Sequence, residues 1–99
     1  MCSELFKNSS ILDIGCGDGE TLAQFVKVNC INLTGIDLNE EMLESAKKKF
    51  GEKVKLLKVD ATKLDLFEPN EFEIIISALC IHNIPRTKRK DFWKDYQGL

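Results

Sequence analysis

Apolar positions along this chain switch between a period of two and a period near 3.6, and the switches mark out its elements. Ile11, Leu12 and Ile14 predict a first strand, which runs into a loop with glycine at every second place: Gly15, Gly17 and Gly19. From Glu20 to Val28, Leu22, Phe25 and Val26 recur at helical spacing and give one buried face. Residues 31–37, INLTGID, predict a second strand. The helix after it carries full punctuation: Asn39 as N-cap, Glu40 and Glu41 in the first turn, Lys47 to Lys49 in the last, and Gly51 just beyond. Its inward face is Leu43, Ala46 and Phe50. Val54 to Val59 reads as a third strand and DATKLDLFEPNE as a connection. Phe72 to Cys80 reads as a fourth strand, almost wholly apolar, as expected for one covered on both faces. Lys88 to Tyr96 predicts a last helix packing Phe92, Trp93 and Tyr96, with Leu99 close by.

Strands alternating with helices in this way predict an α/β fold, a parallel sheet with right-handed crossovers. Ligands in such sheets bind outside the carboxyl ends of the strands, near the point where strand order reverses. The four carboxyl ends carry residues 13–19, Asp37, Asp60 and Ser77, so the functional site is expected there.

Length allows one domain over residues 1–99, and a chain of this size buries only roughly 60 to 68% of its unfolded surface. With 43% apolar residues, 30% charged residues and a net charge of −2, the composition is that of a soluble globular chain. Charge alone points to neither nucleic acid nor membrane. The amino-terminal MCSELFKNSS has no apolar signal core, and IIISALCI at 74–81 is too short to span a bilayer, so a cytoplasmic location is expected. Cys2, Cys16, Cys30 and Cys80 show no CxxC pairing and no histidine at zinc spacing. They read as reduced, with no metal site, and Cys16 lies where it could touch a ligand. RTKRK at 86–90 reads as a solvated helix start before it reads as an acceptor or RNA contact.

The glycine loop is acidic, with Asp13 before it, Asp18 inside it and Glu20 after it. Alternating glycines let a backbone approach a ligand closely and aim helix N–H groups at it. A dinucleotide site would read GxGxxG, whereas here the third glycine comes one residue early in GCGDG. A pyrophosphate would also meet three carboxylates at close range. A nicotinamide cofactor is therefore disfavoured, and a ligand with a positive centre and no phosphate suits the loop.

ILDIGCGDG resembles the signature loop of the class I S-adenosylmethionine-dependent methyltransferases, whose cofactor is a sulfonium with an α-amino group. GIDLNEEML at 35–43 resembles the second motif of that family, which implies ribose binding by Asp37 and adenine contact by Leu38. VDAT at 59–62 is similar to the third, implying that Asp60 takes the adenine amino group and the Ala61 backbone a ring nitrogen. FEIIISALCIHNI at 72–84 is similar to the fourth, where the backbone from Ser77 to Leu79 would meet the methionine end. With Asp13, Gly15, Cys16, Gly17 and Gly19 of the loop, these residues are the expected cofactor site. The resemblance implies a Rossmann-like sheet, S-adenosylmethionine as cofactor, and methyl transfer as the activity.

In the family the sheet has strand order 3-2-1-4-5-7-6, so this chain is expected to hold only 3-2-1-4, a truncated domain lacking the C-terminal strands. Strand four would then be a bare apolar edge, which predicts self-association or a partner chain along it. Methyl transfer is an in-line displacement that relies mostly on positioning. His82, the only histidine, follows strand four and is a candidate base, set against a plain structural role at a strand end. The fourth motif lacks the NPPY or DPPY form used on amide and nucleobase amino groups, which favours a small-molecule acceptor over nucleic acid. A non-catalytic module that only binds the cofactor is the alternative, and a nicotinamide-dependent oxidoreductase a distant one.

Overall fold

In a computed structural model the described residues are 8–60, 71–77 and, for the backbone alone, 80–83. Five strands make one sheet in the order β3-β2-β1-β4-β5: β1 Ser10–Ile14, β2 Asn32–Asp37, β3 Lys55–Lys58, β4 Ile74–Ser77 and β5 Cys80–Asn83. Helix α1, Glu20–Lys27, joins β1 to β2, and helix α2, Glu40–Phe50, with a short 3-10 turn at Gly51–Lys53, joins β2 to β3. The first four strands are parallel, with Ile14 level with Ile36 on one side and Ser77 on the other. The predicted 3-2-1-4 order therefore holds.

Alternation decides which side chain faces which layer. Ile11, Leu33, Ile74 and Ile76 point to one face and pack with Leu22 and Phe25 of α1 and with Leu43, Ala46 and Phe50 of α2. Leu12, Ile14, Ile36 and Ile75 point to the other, where Phe72 joins them. Gly35 is small because the crossing requires it: a Cβ there would lie 2.8 Å from Leu22 Cδ1 and 2.9 Å from Cys16 Sγ.

The cap chemistry of α2 is the one its sequence predicts. Asn39 Oδ1 accepts from the Met42 N–H at 3.2 Å, and Gly51 ends the helix with φ +60°. By contrast α1 starts at Gly19 in a left-handed conformation, with no side-chain cap on its first turn.

Strand four corrects the expectation of a single run from Phe72 to Cys80. The parallel strand stops at Ser77, and the chain folds back so that Cys80–Asn83 pairs antiparallel with it, Ser77 opposite Cys80 and Ile74 opposite Asn83. An all-apolar run carries no period and no turn residue, so nothing in IIISALCI marks the reversal. Folding back gives the outer N–H and C=O groups of β4 partners, which a bare edge leaves unpaired. The edge on which self-association was expected is thus already occupied by β5. The predicted helix at Lys88–Tyr96, RTKRK, Cys2 and Ala61 lie outside the described residues.

Candidate functional site

The crossover from β3 back to β4 puts the switch point of the sheet beside β1, and two neighbouring cavities open at the carboxyl ends there. The first, about 240 Å³, is lined by Asp13, Gly15, Cys16, Asp18, Glu20 and Thr21, with Ile14 at its base. The second, about 230 Å³, is lined by Gly15, Asp37, Leu38, Val59 and Asp60. Gly15 borders both, so they form one cleft. Among the described residues five carboxylates line it and no Lys or Arg does.

Backbone hydrogen bonds fix the loop that divides the cleft. The N–H groups of Gly15 and Cys16 both donate to the Ile36 carbonyl at 2.9 Å, and the Gly19 N–H donates to the Cys16 carbonyl at 3.0 Å. Gly15, Gly17 and Gly19 have φ of +75°, +58° and +86°, a region that side chains disfavour. A Cβ on Gly15 or Gly17 would meet no protein atom within 4 Å, so packing does not demand glycine there; backbone conformation and open space for a ligand do. Gly19 differs. A Cβ on it would run into the Phe50 ring, which makes it a packing position between α1 and α2.

Asp37 ties the cleft together. Its Oδ2 accepts from the Gly17 N–H at 2.8 Å and its Oδ1 from the Asn39 N–H at 2.9 Å. An ionised carboxylate has about four acceptor sites, so two remain for a ligand. Leu38 beside it is 56% exposed, an apolar surface offered to the second cavity.

Asp13 is 5% exposed and lies under the loop. Burial, and next the Asp37 carboxylate, raise its carboxyl from the ordinary 3.8 to about 6. Burial pushes the Cys16 thiol up to about 12, helped by the carboxylates of Asp13 and Asp37, so Cys16 is a neutral thiol and no nucleophile. Cys16 and Cys30 are both free and buried.

Of the residues expected from sequence, Asp13, Gly15, Cys16, Asp37, Leu38 and Asp60 line the cleft, and Gly17 is bonded to it. Ser77 ends β4 level with Ile14, half-buried and outside both linings. The backbone of His82 stands opposite Ile75, two positions back from the end of β4. Thr21 and Val59 were not predicted as site residues: a threonine in the first turn of a helix and a valine just past a strand carry no sequence signal of their own. No group of side chains able to hold a metal occurs among the described residues.

A family model described as a methyltransferase domain matches residues 11–98. The chain belongs to the methyltransferase-domain family. This methyltransferase domain is 39% identical over 83 residues to a demethylmenaquinone methyltransferase of Staphylococcus aureus, covering 80% of this chain and 34% of that protein. Among solved structures, an S-adenosylmethionine-dependent methyltransferase from Mesorhizobium loti matches with a TM-score of 0.66 at 25% identity, over 73% of this chain and 33% of that one. A putative methyltransferase of the same kind from Listeria monocytogenes matches with a TM-score of 0.65 at 29% identity, over 73% and 32%. The domain spans about a third of the length of these relatives.

Proposed function

We propose that this chain binds S-adenosylmethionine and serves methyl transfer to a small-molecule acceptor. The observation that carries the reading is an acidic cleft, with no basic side chain among its described residues, at the switch point of a methyltransferase domain. The donor set fits the cofactor: carboxylates for a sulfonium and an ammonium, an acceptor-rich Asp37 for vicinal hydroxyls, and apolar Leu38 and Val59 for a flat base. When bound, S-adenosylmethionine supplies an activated methyl group.

The chain's own residues do the positioning. Asp37 is held by two N–H donors before any ligand arrives, so its free lone pairs are fixed in direction, and little order is lost when hydroxyls bind them. Gly15 keeps the wall between the two cavities down to backbone, which lets one extended ligand lie across both. Asp13, ionised above about pH 6, attracts the positive end, while the same carboxylates repel a pyrophosphate. The sulfonium and amino group thus belong in the first cavity and the nucleoside in the second.

A small-molecule acceptor is supported by the name of the Staphylococcus aureus relative and by the absence of an NPPY-type sequence after β4. No described helix is long and apolar enough to cross a membrane, which is compatible with a cytoplasmic site of action. Calorimetric titration with S-adenosylmethionine, S-adenosylhomocysteine and NADH tests the reading. Binding of the first two and not the third is expected, and the reverse pattern refutes it. Release of S-adenosylhomocysteine in the presence of an acceptor separates an enzyme from a module that only binds.

A further inference from the structure

The net charge of −2 averages two unlike ends of the molecule. The acidic cleft takes the carboxyl ends of the strands. Because β1, β2 and β3 are parallel, α1 and α2 both finish at the opposite end, and the connections that follow them meet there. Val26, Asn29, Cys30 and Ile31 from one connection, with Glu52 and Lys53 from the other, line a cavity of about 280 Å³. Ile31, at this cavity, is 68% exposed.

Six exposed lysines lie at this end: Lys27 closing α1, Lys47, Lys48 and Lys49 closing α2, then Lys53 and Lys55. Glu44 and Glu52 oppose them locally, and Glu71 and Glu73 lie further along the sheet, before β4. A lysine at a helix carboxyl end offsets the helix dipole, which accounts for Lys27 and part of the α2 group. It does not account for Lys53 and Lys55, nor for an isoleucine left in water among them.

We propose that this end of the domain docks on an anionic lipid bilayer, with the lysines on lipid phosphates and Ile31 entering the headgroup boundary. About four to eight basic residues beside an apolar contact is the size of patch that holds a protein to such a surface. Lysine suits the role, since its long apolar stem lies in the boundary while its ammonium stays wet. Nucleic acid fits less well. Among the described residues the patch has no arginine for bidentate phosphate contacts, and the exposed large apolar side chains are Ile31, Leu38 and Met42, none of them able to stack on a base as an aromatic does. The acidic cleft is repelled by the same surface, so charge also sets the orientation, with the cleft turned away from the lipid.

Co-sedimentation of the full chain with phosphatidylcholine vesicles, with and without phosphatidylglycerol, tests this. Binding is expected only with phosphatidylglycerol, falling several-fold as salt is raised from low to physiological. Lys53→Glu should weaken it by about tenfold or more, whereas Lys58→Glu, the same charge reversal at the cleft end beside Glu40, should leave most of it. Ile31→Ser should weaken it several-fold, and all three variants replace exposed side chains, so circular dichroism should show them folded. No binding to anionic vesicles, equal losses for the two lysine variants, or unchanged binding of Ile31→Ser overturns the proposal. So does a single-stranded RNA oligonucleotide that displaces the vesicles and binds the Ile31→Ser variant equally well.

Discussion

The Gly17 N–H donates to Asp37 Oδ2 across 2.8 Å, joining the glycine loop to the end of β2 over twenty residues of chain. One carboxylate therefore shapes the loop and faces the second cavity at the same time. Hydrogen bonds to a charged group contribute about 1.5 to 3 kcal/mol, so Asp37→Ala should weaken S-adenosylmethionine binding by that order in a calorimetric titration. The fold should survive, since the Asn39 cap of α2 and the two donors to the Ile36 carbonyl remain. Unchanged affinity in a folded variant would remove Asp37 from the site.

Asp13 predicts a pH dependence with an unusual sign. Its carboxyl ionises at about 6 in the folded protein and near its ordinary 3.8 in the unfolded chain, so the folded state holds the proton more tightly. Stability is therefore fullest below 3.8 and falls as pH rises through 6. A difference of roughly two pH units corresponds to at most about 3 kcal/mol. Asp13→Asn should melt higher than the parent at about pH 8 and converge with it at about pH 4 in scanning calorimetry. An offset equal at both values would mean that ionisation of Asp13 is not the cause.

A positive ligand pulls the same group back towards its ordinary value, so S-adenosylmethionine should bind more tightly as pH rises through 6. Neutralising Asp13 and Asp18 together to Asn should weaken S-adenosylmethionine more than S-adenosylhomocysteine, which keeps the amino group and lacks the sulfonium. Equal losses would assign the two acids to the amino group or to loop geometry alone.

Gly35 and Gly15 should fail for different reasons. An alanine at 35 drives a methyl against Leu22 and Cys16, overpacking worth about 1 to 3 kcal/mol, and Leu22→Ala should recover part of it. An alanine at 15 meets no atom but must hold φ near +75°, a strain of about 1 to 2 kcal/mol that no partner substitution relieves. Denaturant melts of the single and double variants separate the two; additivity of Gly35→Ala with Leu22→Ala would sink the packing account.

These residues also show what was legible in sequence. Local chemistry was: Asn39 and Gly51 bound α2 as their types require, and period two sorts Ile11 and Leu12 to opposite faces. Most of the cleft was legible as well, because strand ends in a parallel sheet carry it, and Asp13, Asp37 and Asp60 each lie at or just beyond the carboxyl end of a strand. Two things were not. Gly35 has an ordinary strand conformation, and its necessity comes from a side chain thirteen positions earlier in the chain, Leu22. The reversal between Ser77 and Cys80 lies inside an apolar run, where satisfying backbone groups outweighs any propensity the side chains express.

That reversal supports the last prediction. With β5 in place, the outer edge of β4 is paired, and the apolar Ile74, Ile75 and Ile76 lie in the interior of the sheet, each at most 2% exposed. Successive N–H groups on an antiparallel strand point to alternate sides, so replacing Ile81 and His82 together by proline removes at least one donor to β4, whichever of them faces it. The edge of β4 would then stand open, with unpaired N–H and C=O groups beside an apolar run, an arrangement that templates pairing with another chain. Static light scattering should show the double variant at higher mass than the parent at equal concentration, with faster exchange of the Ile75 and Ile76 amides. Identical masses and unchanged exchange would mean that β5 is not what protects the edge.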